Sequence, residues 1–285
     1  MSSESEKSQA KKAEKKREAP PPPPNVAGGI IDSHAHVVEE FFQEEKGAII
    51  DRARNLGVKR LVNPAVTLKE SELAELKRLT ETYDFIYAGC GLHPHEAKDW
   101  TEESADLIKE RLKLPKYVAV GECGLDYYYN NSSREEQVLA FSEQIKLALL
   151  LNKPLIVHCR DAWQEAFDLI SLHGKGQVRG VFHCFTGGPE HLEAIKALDF
   201  YVSFSGIVTY KNAEGIQEAA RQVAKDRFLV ETDCPFLSPQ KVRGIRNEPS
   251  FVWWTAEKLC QLRNTDMEEI SQLASENATR LFSLN

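Results

Sequence analysis

One repeated pattern constrains the fold of this chain more than any other feature: a short apolar run, a turn and an amphipathic helical stretch, eight times over. Runs such as residues 155–157 and 228–230 are apolar throughout, which is typical of parallel strands covered on both faces. Eight strand–helix units in about 225 residues predict a (β/α)8 TIM barrel. The alternative is a doubly wound open sheet, but no glycine-rich phosphate turn follows the first run. The predicted strands are residues 29–33, 58–64, 85–90, 117–122, 154–159, 180–184, 200–205 and 227–232.

Helical periodicity fills the segments between these strands. The best-defined helix is predicted at residues 133–151, where Ser133 and Glu136 have the spacing of a capping box. A second box, Thr265 with Glu268, predicts the start of the last helix. The predicted helices are residues 44–56, 68–82, 102–112, 133–151, 162–172, 190–197 and 213–224, with two additional C-terminal helices at 250–262 and 266–282.

Residues 1–24 differ in composition from the rest of the chain. Ser, Glu and Lys predominate up to Ala19, and a run of prolines follows. Such a segment buries too little apolar surface to offset the entropy of ordering, so we predict a disordered tail at 1–24 and one barrel domain at 25–285. The basic stretch 11–17 would suit a weak nuclear address or contact with nucleic acid. A solubilising tail or processed leader accounts better for its composition, and we assign the tail no partner.

Net charge and hydropathy limit the class of partner and the compartment. The net charge is −7 and the pI is about 5.7. Overall basicity therefore cannot hold nucleic acid, which would have to be bound locally or through cations. There is no apolar run of about 18 residues and no apolar signal-peptide core, so we expect a cytoplasmic protein, or a nuclear one in a eukaryote, with no membrane partner.

Cysteine spacing argues against a cysteine-built site. The six cysteines form no CxxC pair, and several adjoin candidate ligands at predicted strand ends. We interpret them as reduced packing residues rather than a disulfide framework or a zinc ribbon. They are Cys90, Cys123, Cys159, Cys184, Cys234 and Cys260.

Candidate metal ligands follow the predicted strands. His34 and His36 are separated by one residue, so on a strand both point to the same side. The active site of a TIM barrel lies at the carboxyl ends of its strands, and six of the eight histidines fall at these ends. A single histidine at a strand end more often forms a hydrogen bond to a nearby carbonyl than it binds a metal ion. That explanation does not account for all of these histidines and carboxylates at one end of the barrel. The predicted ligands are His34, His36, Glu122, His158, His183 and Asp233.

This ligand set is large enough for two divalent ions. His34, His36 and Asp233 would hold one ion and His158 with His183 the other, with Glu122 bridging them. Imidazole and carboxylate ligands suit Zn²⁺ or Mn²⁺, and the carboxylates suit harder ions such as Mg²⁺. Two ions about 3.5–4 Å apart activate a bridging hydroxide and neutralise a phosphoryl group during in-line displacement.

Three residues are predicted to take part in the chemistry. Asp233 would orient or deprotonate the attacking water, although it could instead cap a helix before Pro235. Glu122 would bridge the ions. His95 would contact phosphate or protonate the leaving oxygen.

Further residues are candidates to support or bind the substrate. Asp126 would accept a hydrogen bond from a ligand imidazole and fix its tautomer. Tyrosines 127–129 would stack on an unpaired base, although barrel packing explains them nearly as well. Four residues are predicted to hold phosphate oxygens, with surface ion pairs as the alternative for the arginines: Arg160, Arg243, Arg246 and Asn247.

These motifs together resemble the TatD-type metal-dependent deoxyribonucleases of the amidohydrolase-like superfamily. The resemblance runs from about Ile30 to the C-terminus, through residues 31–36, 91–95, 121–127, 154–160, 182–188, 231–239 and 243–249. It implies a monomeric TIM barrel whose two divalent ions are held by the six ligands named above. It also implies 3′→5′ exonuclease activity on single-stranded or damaged DNA, and sometimes on RNA. Residues 240–242 depart from the family, since many members have a proline–aromatic pair there.

Two other classes of function remain as alternatives. A small-molecule hydrolase of phosphoesters, lactones or amides could use the same metal site, and the acidic pI favours it slightly. A non-enzymatic scaffold that binds through its tail would be expected to have lost a ligand, and none of the six is missing.

Overall fold

The barrel prediction is confirmed by the computed structural model, which describes residues 22–285. Eight strands pair in parallel, in chain order, within one sheet. They are β1 (Ile30–Asp32), β2 (Val58–Pro64), β3 (Ile86–Cys90), β4 (Tyr117–Asp126), β5 (Leu155–Arg160), β6 (Gly180–Phe182), β7 (Phe200–Phe204) and β8 (Phe228–Val230).

Backbone hydrogen bonds join the last strand to the first. The amide of Ser33, just after β1, donates to the carbonyl of Val230 in β8 at 3.1 Å. At the next residue of the same segment, the carbonyl of His34 accepts a hydrogen bond from Asp233 N at 2.9 Å. The two chain segments that leave β1 and β8 therefore run side by side, and this brings their polar side chains together.

Helices alternate with the strands, close to the predicted positions. Short 3₁₀ turns also connect the elements. The α-helices of residues 22–285 are α1 (Glu39–Phe42), α2 (Lys46–Asn55), α3 (Glu70–Thr82), α4 (Glu102–Arg111), α5 (Arg134–Leu151), α6 (Trp163–Gly174), α7 (Leu192–Ala197), α8 (Glu214–Gln222), α9 (Val252–Arg263) and α10 (Met267–Phe282).

One predicted helix cap is confirmed and the other is wrong. Ser133 accepts from the amide of Glu136 before α5, and the Glu136 side chain accepts from the Ser133 amide, which completes the capping box. At α10 the cap is Asp266 rather than Thr265: its Oδ1 accepts from Glu269 N at 2.8 Å. An aspartate one residue later satisfies the first turn equally well, because both side chains place an oxygen over the free amides.

The C-terminal helix closes one end of the barrel. One buried cluster combines strand residues such as Tyr87, Val118 and Tyr201, each the second residue of its strand, with Leu281 and Phe282 at the end of α10. Since these strand residues lie near the amino ends of their strands, α10 blocks the N-terminal end of the barrel. The opposite end, where the strands terminate, is left for polar side chains.

β4 is longer than predicted, and this changes the position of Glu122. The prediction ended the strand at residue 122, but it continues to Asp126. The pairing register with β5 shifts between Val120 and Cys123, so Glu122 lies at an irregularity inside the strand. Two carboxylates of one strand, Glu122 and Asp126, therefore project from the same end of the barrel.

The tail prediction lies mostly outside the described residues. Of the segment 1–24, only Pro22–Pro24 is described, and Pro22 and Pro23 line a cavity of about 550 Å³ beside α2. Within residues 22–285, no helix is both long and apolar enough to cross a membrane. All six cysteines have free thiols, and five of them are buried.

Candidate metal centre

His34 and His36 lie two and four residues beyond the end of β1, and their side chains meet there. Both side chains are buried, and their Nε2 atoms lie 3.0 Å apart. Glu122 Oε2 lies 3.3 Å from the first nitrogen and 3.5 Å from the second. Asp233 Oδ1 lies 3.8 Å and 3.6 Å from the same two nitrogens. Four donor atoms from three strands thus converge on one point.

Glu122 presents its other oxygen to a second group of histidines. Oε1 lies 2.8 Å from His183 Nε2, 3.2 Å from His93 Nε2 and 3.4 Å from His158 Nδ1. The carboxylate is only 2% exposed. Each oxygen of one buried carboxylate therefore faces its own set of imidazole nitrogens.

These donor atoms fit a metal ion better than they fit one another. Ligands about 2.0–2.2 Å from a tetrahedral ion lie about 3.3–3.6 Å apart. The five separations among His34, His36, Glu122 and Asp233 span 3.0–3.8 Å. A neutral imidazole has one lone pair and one N–H, so hydrogen bonds alone cannot satisfy so many converging atoms.

Burial and local charge act in opposite directions on the protonation of the cluster. Burial lowers the pKa of His34 and of His93 to about 4, which leaves both rings neutral near pH 7. Burial alone would raise the pKa of Glu122. Attraction to His183 and His93 and hydrogen bonds from His158 instead hold that pKa well below its usual value. Burial opposes protonation of His36, His158 and His183, but their contacts with carboxylates raise the pKa of all three, so each of these rings would release a proton to bind a cation. Imidazoles around an ionised carboxylate are a typical donor set for Zn²⁺ or Mn²⁺.

Asp233 lies beside His34 and His36, and its side chain is 12% exposed. Burial raises its pKa to about 6, although the nearby His183 and His36 act in the opposite direction. No helix begins directly after Pro235. The next helical turn is the 3₁₀ turn Gln240–Val242. The alternative role of Asp233 as a helix cap is therefore wrong.

Asp126 connects the cluster to the barrel rim. Its Oδ2 lies 2.9 Å from His158 Nε2 and 3.0 Å from His95 Nε2. Its Oδ1 accepts the amides of Tyr128 and Tyr129, both at 3.0 Å. Burial opposes its charge, but these hydrogen bonds hold the pKa of Asp126 well below its usual value.

Arg160 and Arg243 lie on the rim with their charges uncompensated by carboxylates. The Arg160 guanidinium stacks over Tyr128 at 3.8 Å and Tyr129 at 4.8 Å. Arg243 stacks over Tyr210 at 4.6 Å. Within residues 22–285 neither guanidinium forms an ion pair. Both are therefore free to pair with an anion.

Arg246 and Asn247, in contrast, are engaged elsewhere. Arg246 pairs with Glu45 and donates to Phe41 O at 3.0 Å. Asn247 is fully buried, and its amide nitrogen donates to Thr232 O at 2.8 Å and to Phe236 O at 2.5 Å. The structure does not place these two side chains with the other predicted substrate contacts; they hold the loop after β8.

Two residues of the cluster were missing from the predicted ligand set. His93 is one of the six histidines that follow predicted strands, and it was given no role; the structure places it against Glu122. Glu231 is fully buried, with Oε1 3.4 Å from His183 Nδ1 and accepting Cys184 N at 2.7 Å. Glu231 lies two residues before Asp233, and this spacing on a strand was the available signal.

One cavity of the described residues lies away from this cluster. It measures about 620 Å³ and lies at the N-terminal end of the barrel, between Gly28, Lys59 and α10. None of the predicted site residues lines it.

A TIM barrel with imidazoles and carboxylates gathered at the carboxyl ends of its strands defines a metal-dependent hydrolase. The model of the family "TatD related DNase" matches residues 31–283. The chain belongs to this family, and it is an enzyme of the hydrolase class that acts on phosphoester bonds.

Individual relatives agree with this assignment. The metal-dependent hydrolase YabD of Bacillus subtilis is 41% identical over 256 residues, covering 90% of this chain and 100% of the relative. The "3′-5′ ssDNA/RNA exonuclease TatD" of Erwinia tasmaniensis is 32% identical over 260 residues, with coverage of 90% and 100%. The crystal structure of YJJV, a TatD homologue of Escherichia coli, superposes with a TM-score of 0.82 at 28% identity, covering 90% of this chain and 98% of that one.

Proposed function

We propose that this protein is a 3′→5′ exonuclease of single-stranded nucleic acid, primarily DNA, that requires two divalent metal ions. The observation that carries the proposal is the position of Glu122, whose two oxygens face separate groups of imidazole nitrogens. The direction of digestion and the substrate are supported by the names of the Erwinia and Edwardsiella relatives.

We assign the ligands by the oxygen of Glu122 that they face. His34, His36 and Asp233 would hold one ion beside Oε2. His158 and His183, together with His93, would hold the other beside Oε1. When bound, Mg²⁺, Mn²⁺ or Zn²⁺ would supply Lewis-acid activation of a water and neutralise charge on the phosphoryl group.

The remaining chemistry belongs to side chains of the chain itself. Asp233, whose carboxylate lies beside His34 and His36, orients the attacking water and accepts its proton. His95, which Asp126 fixes at Nε2, protonates the leaving oxygen or contacts the phosphate. Arg160 and Arg243 pair with phosphate oxygens, since their guanidinium groups have no carboxylate partner in residues 22–285.

Cleavage of end-labelled single-stranded oligonucleotides tests this proposal. With Mg²⁺ or Mn²⁺, a 5′-labelled strand should shorten progressively and a 3′-labelled strand should release labelled mononucleotide at once; EDTA should abolish both. Asp233→Asn should be inactive, whereas Asp226→Asn, an exposed aspartate before β8, should behave like the wild type.

Two results would contradict the proposal. Full activity in Asp233→Asn would show that the reaction occurs elsewhere. No cleavage with any ion would favour a hydrolase of small phosphoesters, lactones or amides, which a substrate screen would then identify.

A further inference from the structure

We propose that two aromatic patches beside the cluster bind the two unpaired bases that flank the scissile phosphodiester. The tyrosine wall consists of Tyr128, Tyr129 and Arg160, and the phenylalanine wall consists of Phe236 and Phe41. This inference rests on the proposed nuclease function and specifies its substrate: a strand with at least two unstacked, unpaired nucleotides at its end.

The exposure of these rings is the first observation. Tyr128 is 58% exposed, Tyr129 is 55% exposed and Phe236 is 49% exposed. The other large hydrophobic side chains with comparable exposure in residues 22–285 are three leucines on the outer helices α5 and α6. Strongly exposed aromatic rings are therefore confined to the mouth of the site, where they keep apolar area in contact with water.

The tyrosine wall is held rigidly by a residue of the cluster. Asp126 accepts the amides of Tyr128 and Tyr129, and the two rings meet edge to face with centroids 4.9 Å apart. Tyr129 also contacts the ring of His95, at 5.5 Å between centroids. Since Asp126 binds His158 as well, the wall has a fixed position relative to the Oε1 side of Glu122.

The phenylalanine wall lies beside the other half of the cluster. Phe236 packs edge to face on Phe41, with centroids 5.4 Å apart, and approaches His36 at 6.3 Å. His36 faces the Oε2 side of Glu122. One wall therefore adjoins each side of the bridging carboxylate, and a phosphodiester over Glu122 would have a ring to each side.

Arg160 makes the tyrosine wall suitable for a nucleotide rather than for an apolar ligand. Its guanidinium lies over both tyrosine rings and has no carboxylate partner in residues 22–285. Arg134 provides the contrast: it also lies over a tyrosine, Tyr127, but Glu165 neutralises it at 2.9 Å. Stacking leaves the in-plane N–H groups of Arg160 available to a phosphate.

The chemistry of stacking determines the selectivity. Every base has a π-face, so stacking on Tyr or Phe tolerates any sequence. A base in a duplex already stacks on its neighbours and pairs with its partner, and it would have to leave both to reach a wall. The walls therefore favour single strands over duplex ends and intact nucleotides over base-free phosphodiesters.

The test compares a single-stranded oligonucleotide with the same strand carrying abasic tetrahydrofuran residues at its last two 3′ positions. For the wild type, the abasic strand should have a KM at least about 30-fold higher, since two stacked bases are lost and each contributes about 5-fold or more. Phe236→Ala and the double variant Tyr128→Ala/Tyr129→Ala should raise KM for the intact strand and leave KM for the abasic strand unchanged. Phe236→Trp and Tyr129→Phe keep an aromatic ring and should retain the preference for the intact strand over the abasic strand. Leu172→Ala, on the outer face of α6, should match the wild type.

The outcomes separate this inference from the proposed function. If the oligonucleotides are cleaved but the alanine variants lose activity equally on both strands, the walls do not bind bases and the proposed nuclease activity is still supported. If neither strand is cleaved, binding of the same two strands is measured by fluorescence anisotropy. Preferential binding of the intact strand by the wild type, lost in the alanine variants, would support base binding by the two walls and leave the nuclease activity unsupported. Equal binding of both strands by the wild type would contradict base binding by the two walls.

Discussion

Asp126 and His158 form a pair in which the carboxylate sets the orientation of the imidazole. Asp126 Oδ2 lies 2.9 Å from His158 Nε2, while His158 Nδ1 faces Glu122 Oε1 at 3.4 Å. The ring is therefore held between two carboxylates, and the hydrogen bond at Nε2 directs the Nδ1 lone pair towards the cluster. A single residue of β4 thus positions a proposed metal ligand from β5.

Asp126→Asn should weaken metal binding and nuclease activity by about 10- to 100-fold, because an amide orients the imidazole less strongly than a carboxylate does. Metal titration and initial cleavage rates measure the effect. Asp106→Asn, an exposed aspartate of α4, serves as the matched control. Wild-type metal affinity and rate in Asp126→Asn would contradict the positioning role.

Metal removal should lower the melting temperature of the protein. An ion at about 100 times its Kd stabilises the folded state by about 2.7 kcal/mol. In a domain of this size that corresponds to roughly 5–10 °C. Calorimetry with Mn²⁺ and with EDTA measures the difference. His34→Ala should reduce it, whereas His173→Ala, at the end of α6, should preserve it. Equal melting temperatures with and without metal would contradict the site.

The pair Arg52–Glu248 should stabilise the loop after β8. Arg52 Nε donates to Glu248 Oε1 at 2.7 Å, and a second bond joins Arg52 Nη2 to Oε2 at 2.5 Å. Because the Arg52 side chain is 47% exposed, solvent screening limits the coupling to about 1 kcal/mol. A double-mutant cycle by denaturant unfolding measures it. The exposed pair Arg54–Asp84 should give less than about half of that value, and equal couplings would contradict the expectation.

The thiols should react slowly with iodoacetamide in the folded protein. Burial raises the pKa of Cys260 to about 11 and that of Cys90 to about 12, so the nucleophilic thiolate is scarce at pH 8. Alkylation of Cys260 should be roughly 100-fold slower than in denatured protein, and should rise about tenfold per pH unit from 8 to 10. Mass spectrometry of the tryptic peptides measures both rates. A folded-state rate equal to the denatured rate would contradict this account.

Much of the barrel could be predicted because its signals are local. Strand bounds follow from apolar runs, and β2 begins and ends at the predicted residues. The spacing of His34 and His36 predicted that they share a direction, and their rings do meet, although both lie beyond the end of β1. Glu122 and Asp126 were both proposed, but the length of β4 depends on pairing with β5, which the sequence of β4 alone does not encode.

The loops were harder to predict because their partners are distant in the chain. Arg246 has the chemistry of a phosphate ligand, but its partner is Glu45, 201 residues away. Asn247 resembles a substrate contact in the sequence, although its amide is used to hold the turn at Phe236. His93 lies in a loop without periodicity, so nothing in its neighbours indicates which way the ring points.

The most direct test of the account is the number of Mn²⁺ ions bound per chain, measured by equilibrium dialysis after EDTA treatment. We predict two ions for the wild type, and loss of binding at both positions in Glu122→Ala, since one carboxylate serves both groups of histidines. His173→Ala should still bind two. A stoichiometry of one or none in the wild type, or two in Glu122→Ala, would contradict the bridged centre.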